Sequence, residues 1–198
     1  ATKRKGCIMK VWTGMAIAVA ALALAAGPAS GGEKAPQAVV ELAETTLSKL
    51  GSDAVIVEAV KAENGKAKTL DQVKATDEKW KGHAGIADYM NAMMVSECGR
   101  HLRSIQESDS FYGEIFVMDN LGANVAMTDK TSDYYQGDEA KFQKSFNNGK
   151  GEVFVDEVEF DESSQAYLVQ VSVPVMDGGK AIGAVTFGID LDRLEGLK

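Results

Sequence analysis

The stretch "QAYLVQVSVPVMDGGKAIGAVTFGID" (residues 165–190) indicates the fold class of this 198-residue chain most directly. From Tyr167 onward every second residue of its first half is aromatic or β-branched, and Gln170 and Ser172 stand between them, as in a half-buried strand. The sequence "DGG" (177–179) is typical of a tight turn, and the apolar run after it predicts a second strand. We therefore predict an antiparallel hairpin.

Three further strands are predicted before this hairpin. "GEIFVM" (113–118) and "ANVAMT" (123–128) flank the turn-forming "DNLG" (119–122), and "GEVFVDEVEF" (151–160) follows. In the last of these the apolar positions change phase near Asp156, which would turn the strand inside out unless an extra residue were accommodated. We predict a β-bulge at this point.

The segment from residue 36 to residue 64 has the apolar spacing of a helix, with intervals of three and four residues. Gly51 interrupts it, together with Ser52 or Asp53. They either end one helix and cap the next, or kink a single long helix.

Two more helices are predicted before the strands begin. "TLDQ" (69–72) is a capping-box pattern that opens a short helix to about Trp80. A third helix is predicted over residues 85–106, where apolar side chains supply one face. Clustered helices followed by a run of antiparallel strands indicate an α+β fold.

The N-terminal region differs in kind from the rest of the chain. "KVWTGMAIAVAALALAAGPASGG" (10–32) has a basic start, an apolar core and small residues at its end. The core, Met15 to Ala26, is shorter than the roughly 20 residues that span a membrane, so residues 1–31 are expected to be a secretory signal cleaved near Gly31. The alternative is an uncleaved signal anchor. In both cases residues 32–198 are expected to form a single domain in the periplasm.

Charge and cysteine content narrow the function classes. Four of the 21 basic residues and none of the 29 acidic residues precede residue 32, so residues 32–198 carry a net charge of −12. No basic stripe is present to neutralise phosphates, which argues against nucleic-acid binding. Cys98 is the one cysteine after residue 31, so no internal disulfide is expected in that part.

The connection between the second and third strands, residues 129–150, is unusually long for an antiparallel sheet and holds "TSDYYQGDEAKF" (131–142). Tyr134 and Tyr135 are adjacent and cannot both face the core in a regular element, so at least one hydroxyl is expected in a cleft or in solvent. Asp138 is expected to cap the short helix that follows, as an alternative to a ligand-binding role.

A metal site is the other chemistry considered. Cys98 and His101 lie one helical turn apart, and His83 could join them, but a closed site usually has four ligands. No local motif of a nucleophile and its base is present. We therefore predict no metal, no cofactor and no enzymatic activity.

Taken together, these motifs resemble those of the Cache (PDC) family of extracytoplasmic PAS-like sensor domains. The resemblance extends over roughly residues 36–195 and depends on "FVMDNLGANVAMT", the Tyr-Tyr-x-Gly-Asp-Glu loop, "SVPV" and "GKAIGAVTFGID". It implies long N-terminal helices packed on one face of a five-stranded antiparallel sheet. A small-molecule pocket is implied on the other face, under the connection between the second and third strands.

The resemblance also implies which residues bind the ligand. Tyr134, Tyr135 and Asp138 match the loop that covers the pocket. Asp161 and Tyr167 occupy positions where relatives line it, and Arg103 is a candidate partner for a carboxylate.

The predicted function is that of a periplasmic sensor domain that binds a small carboxylate or an amino-acid-like ligand. The chain ends eight residues after Asp190 with no second membrane span, so signalling is expected to need a separate membrane-bound partner. The N-terminal helix is a candidate surface for homodimerisation. The alternative function is an exported accessory or interaction protein with a PAS-like fold and no small-molecule ligand.

Overall fold

The structure is a computed structural model that describes residues 32–161 and 165–196. The predicted signal, residues 1–31, lies outside the described residues. Helix α1 comprises Gln37–Leu42, a π-helical stretch Ala43–Leu47 and a last turn Ser48–Leu50. The helices that follow before the sheet are α2 (Ala54–Asn64), α3 (Leu70–Lys81), α4 (Asp88–Met94) and α5 (Glu97–Gln106).

The helix starts follow from local capping. The Asp53 carboxylate accepts the N–H groups of Val55 at 2.9 Å and Ile56 at 3.3 Å, so the chain ends α1 and begins a new helix instead of kinking one. The capping box of Thr69 and Gln72 is confirmed at the start of α3.

The prediction of one helix over residues 85–106 was wrong, because the chain divides it into α4 and α5. Ser96 caps α5 by accepting the N–H of Gly99 at 2.9 Å. Gly99 also lies directly against the backbone carbonyls of Met93 and Met94, where a Cβ would overlap both oxygens. The break therefore depends on a cap and a close backbone contact that apolar spacing does not show.

The five strands form one antiparallel sheet in the order β2-β1-β5-β4-β3. Their bounds are β1 (Tyr112–Met118), β2 (Asn124–Met127), β3 (Phe154–Asp161), β4 (Ala166–Asp177) and β5 (Lys180–Asp190). The predicted bulge is confirmed, since the register of β3 against β4 shifts between Val155 and Val158. Helix α6 (Ala140–Phe146) lies in the β2–β3 connection, and α7 (Leu191–Glu195) follows β5.

The sheet has two buried faces. The helix face packs against α1, α2 and α5, and its buried residues include Ile115, Val117, Val169, Val171, Val173, Val175, Val185, Phe187 and Ile189. The roof face packs against α3, α4 and the β2–β3 connection, and this second cluster includes Phe116, Met118, Ala184, Val73, Trp80, Met90, Tyr134 and Phe142. The α+β architecture is confirmed, and no helix among residues 32–161 and 165–196 is long and apolar enough to span a membrane.

Candidate functional site

A polar cavity of about 280 Å³ lies between the roof face of the sheet and the β2–β3 connection, here called the roof segment (residues 129–150). The sheet contributes three polar side chains and one aromatic ring, and the roof segment contributes the rest. The lining residues are Glu114, Phe116, Asp161 and Gln170 from the sheet and Lys130, Thr131, Ser132, Gln136 and Lys141 from the roof segment.

The roof segment is held in place by the edge of the sheet. The N–H of Asn124 donates to the Tyr134 carbonyl at 3.0 Å, and the N–H of Gln136 donates to the Gly122 carbonyl at 2.8 Å. These two bonds flank an isolated antiparallel bridge between Ala123 and Tyr135. The roof segment therefore covers the open edge of β2 as well as the cavity.

Gln136, one of the lining residues, has a buried acceptor without a partner among the described residues. Its side chain is only 1% exposed, and its Nε2 donates to the Asp133 carbonyl at 2.8 Å. A carbonyl can only accept, so this bond fixes which end of the amide is nitrogen. The opposite atom, Oε1, is buried and accepts no hydrogen bond from the described residues. An unsatisfied buried amide oxygen costs on the order of 1–3 kcal/mol, which a ligand that donates a hydrogen bond would recover.

Glu114 brings a partly desolvated carboxyl group to the floor of the cavity. Burial raises the pKa of Glu114, the carboxylates of Asp161 and Asp129 raise it further, and the Lys141 ammonium opposes them. The Gln170 amide donates to Glu114 Oε1 at 3.4 Å. The floor therefore carries hydrogen-bond acceptors, and the charge of the Glu114 carboxyl depends on the charged groups near it.

Two lysines supply the opposite charge. The Lys130 ammonium donates to the carbonyls of His83 at 2.9 Å and Gly85 at 3.0 Å, which ties the roof segment to the loop after α3. The Lys141 ammonium lies 2.9 Å from Glu139 Oε2, and its side chain is 14% exposed. The cavity thus carries carboxyl, amide-oxygen and ammonium groups together, a set that can bind both signs of charge in one small molecule.

The structure places Tyr134, which was predicted to close over a ligand, in the core cluster of the roof face. Its side chain is 4% exposed, its ring centroid is 5.6 Å from that of Trp80, and its hydroxyl accepts from the Lys68 ammonium at 3.0 Å. Burial raises the pKa of Tyr134, although the Lys68 ammonium opposes this. The Tyr134 hydroxyl is therefore hydrogen-bonded within the fold.

Tyr135 and Asp138 also lie outside the cavity lining. Tyr135 is half-buried, with the Lys74 ammonium 5.8 Å from its ring centroid and Gly137 packed closely against the ring. The capping role predicted for Asp138 was wrong, because α6 begins one residue later, with Glu139 at the N-cap position. Within the described part of the chain, the Glu139 side chain makes no capping bond.

Asp161 is the member of the predicted set that lines the cavity. Arg103 lines a neighbouring cavity of about 560 Å³ that shares Glu114, Lys130 and Asp161 with the first. Its guanidinium donates to the Thr128 carbonyl and to Gln106 Oε1. Arg103 is thus anchored beside the site and does not line the 280 Å³ cavity.

Tyr167 lies on the opposite side of the sheet. Because side chains alternate along a strand, it shares the helix face with Val169 and Val171. It is 53% exposed and packs against Phe160, with ring centroids 5.2 Å apart.

Sequence reasoning missed most of the cavity lining. Glu114 and Gln170 carried a signal that could have been used, since each is a large polar residue inside a predicted strand. Gln136 carried none, because a glutamine in a loop is ordinarily solvated.

The metal alternative gains no support from the geometry. Among residues 32–161 and 165–196, no three histidine, cysteine or acidic side chains converge as a metal site would need. Burial raises the pKa of the Cys98 thiol to about 12, with Asp53 and Glu97 adding to the effect. The thiolate that binds metal is thereby disfavoured.

A family comparison agrees with this architecture. Residues 89–196 match the family model described as methyl-accepting chemotaxis protein-like, first PDC sensor domain. The chain belongs to this family. No curated protein matches the chain.

Solved structures similar to this PDC sensor domain include sensor domains of bacterial receptors. The sensor domain of the Vibrio cholerae histidine kinase DctB is 14% identical, with 81% of this chain and 53% of that chain covered and a TM-score of 0.44. The ligand-binding domain of the Campylobacter jejuni chemoreceptor Tlp3 with 4-methylisoleucine is 16% identical, with 79% and 63% covered and a TM-score of 0.41. That of the Pseudomonas aeruginosa amino acid chemoreceptor PctC with GABA is 12% identical, with 80% and 64% covered and a TM-score of 0.39. The chain thus spans between half and two thirds of the length of each.

Proposed function

We propose that this PDC sensor domain binds a small zwitterionic molecule of the amino-acid class in the cavity under the roof segment, without catalysis. The observation that carries the proposal is Gln136 Oε1, a buried acceptor that no described residue satisfies, on a residue that lines a polar cavity. A group on the ligand that donates a hydrogen bond would complete it.

The charges of the lining favour a ligand with an ammonium group at one end. Glu114 and Asp161 lie on the floor, and Gln136 adds a neutral acceptor from above. An ammonium group has three donors, which matches a site with several converging acceptors.

The opposite end of the ligand would face the lysines. Lys141 is mostly buried and carries a charge that is paired with Glu139 at the rim, so a ligand carboxylate could share it. The cavity of about 280 Å³ is below the roughly 300–1,000 Å³ of sites for drug-sized ligands, so the ligand is small.

The domain is proposed to act outside the cytoplasm, with residues 1–31 as a secretory signal and residues 32–198 as the sensor. A separate membrane-bound partner would receive the signal. Intact mass of the protein recovered from the periplasm tests the export step. A mature chain that still contains Met15–Ala26 would indicate a signal anchor instead.

Ligand binding is tested by a thermal-shift screen of the full chain against the twenty L-amino acids and γ-aminobutyrate, one at a time. A ligand at about 100 times its dissociation constant adds ~2.7 kcal/mol of stability, which raises Tm by roughly 5–10 °C for a domain of this size. Gln136→Met removes the acceptor with little change in length and is expected to abolish the shift.

Gln143→Met is the matched control for this variant. Gln143 is an exposed residue on α6 that donates to the Gly137 carbonyl at 3.2 Å, outside the cavity lining. It should leave the ligand-induced shift unchanged. If no compound shifts Tm, or if Gln136→Met binds like the wild type, the proposal fails and the interaction protein without a small-molecule ligand becomes the better description.

A further inference from the structure

Asp77 on α3 is a buried carboxylate that binds the backbone of the roof segment. It is 4% exposed, and its Oδ1 accepts the N–H of Tyr134 at 2.9 Å and that of Tyr135 at 3.0 Å. Hydrogen bonds from amides to a carboxylate are stronger than bonds between neutral groups. Asp77 therefore fixes the roof segment through its main chain, whatever side chains it carries.

The geometry at this point sets the direction of the chain. Successive N–H groups of an extended chain point to opposite sides, so two that share one acceptor oxygen mark a bend. The bend at Tyr134 and Tyr135 comes immediately before Gln136, whose own N–H bonds to the Gly122 carbonyl at 2.8 Å. The orientation of Gln136 toward the cavity thus depends on the bend that Asp77 stabilises.

The same helix holds the other end of this part of the roof segment. Trp80, one turn after Asp77, donates its indole N–H to the Thr131 carbonyl at 2.8 Å. Thr131 and Gln136 both line the cavity. Helix α3 therefore fixes both ends of residues 131–135, although Asp77 and Trp80 are not among the lining residues.

The second oxygen of the carboxylate serves a different contact. Asp77 Oδ2 lies 2.7 Å from the Lys81 ammonium, which also lies 3.2 Å from Asp133 Oδ1. The Lys81 side chain is 48% exposed, and ion pairs at such a position contribute little to stability. The two roles of Asp77 can therefore be separated by mutation.

We propose that Asp77 is a positioning residue for the ligand site, which holds the roof segment bent so that Gln136 faces the cavity. This inference rests on the proposed function.

The test compares Asp77→Ala and Asp77→Glu with Lys81→Met in the full chain. Binding of whichever L-amino acid or γ-aminobutyrate gives the largest wild-type shift is measured by calorimetry, and amide exchange at Tyr134 and Tyr135 by NMR. Asp77→Ala is expected to accelerate exchange at both amides and weaken binding by about tenfold or more, since it removes the shared acceptor. Lys81→Met keeps that acceptor and should leave affinity within about threefold of the wild type.

Asp77→Glu covers the case in which Asp77→Ala does not fold. It keeps the charge but moves the carboxylate by one methylene, so we expect weaker binding, of about tenfold, in a folded protein. The inference is overturned if Asp77→Glu binds as the wild type does, or if Lys81→Met weakens binding as much as the Asp77 variants. If the wild type itself binds none of the probes, the proposed function fails first, and this inference fails with it.

Discussion

Alanine replacement of the two adjacent tyrosines should have very different effects on stability. Tyr134 is 4% exposed and packs against Trp80, whereas Tyr135 is half-buried over Gly137. A tyrosine buries about 150–250 Å² at roughly 25 cal/mol per Å², an upper estimate that falls by about 10–40% for a compact unfolded chain. Tyr134→Ala is therefore expected to cost about 3–5 kcal/mol, and Tyr135→Ala about 1 kcal/mol.

The hydroxyl of Tyr134 contributes separately. It accepts from the Lys68 ammonium at 3.0 Å, and Lys68 also pairs with Asp119 at 2.9 Å. Tyr134→Phe removes one bond from a partner that keeps others, so we expect a loss of about 1–2 kcal/mol. Tyr135→Phe is the matched control and should change stability by less than about 0.5 kcal/mol.

Urea denaturation of the full chain carrying Trp12→Phe measures these differences, because Trp80 is then the sole tryptophan and contacts the Tyr134 ring. Circular dichroism provides a second probe of the same transition. Equal destabilisation by Tyr134→Ala and Tyr135→Ala, within about 0.5 kcal/mol, would refute the assignment of Tyr134 to the core.

Three further predictions concern individual side chains. Asp53→Ala should lower the free energy of unfolding in urea by about 1 kcal/mol, because it removes the cap of α2. Asp138 does not cap α6, so Asp138→Ala should change stability by less than about 0.5 kcal/mol, and equal losses would contradict the observed caps. Because burial raises the pKa of Glu114, its protonated form favours the folded state, so this contribution is present below the unfolded pKa near 4.5 and is lost as pH rises through the folded pKa. The stability of the wild type relative to Glu114→Gln should therefore fall as pH rises from about 4 to 7. A stability difference that does not change with pH would contradict the raised pKa of Glu114. In a Cys7→Ser chain, Cys98 should react with a thiol reagent at about pH 8 far more slowly when native than when unfolded, because burial raises its pKa to about 12; equal rates would show that the thiol is accessible.

Features that depend on neighbours in sequence could be predicted well. The capping box at Thr69, the hairpin at "DGG" (177–179) and the bulge near Asp156 each follow from a few adjacent residues, since turn and cap geometry use local groups. The helix break at Ser96 was missed, because it depends partly on Gly99 packing against a preceding helix.

Most of the cavity lining was not predicted, because its members are distant in sequence. Gln136 lines the same cavity as Glu114 and Gln170 because the roof segment folds over the sheet, and each of these residues by itself is ordinary. Tyr134 was expected at a ligand because it lies beside a second tyrosine in the longest connection of the sheet, whereas in the fold it contacts Trp80 and Lys68.

By itself, the sequence determined the α+β class, the strands, the start of α3 at its capping box and the acidic character of the chain. Residue periodicity and turn chemistry act over a few residues, so these features need no knowledge of distant contacts. Only the tertiary structure decided which polar groups are buried, which tyrosine belongs to the core and that Asp77 holds the roof segment. Burial and hydrogen-bond pairing are properties of groups brought together from different elements, and the chain must fold before either is defined.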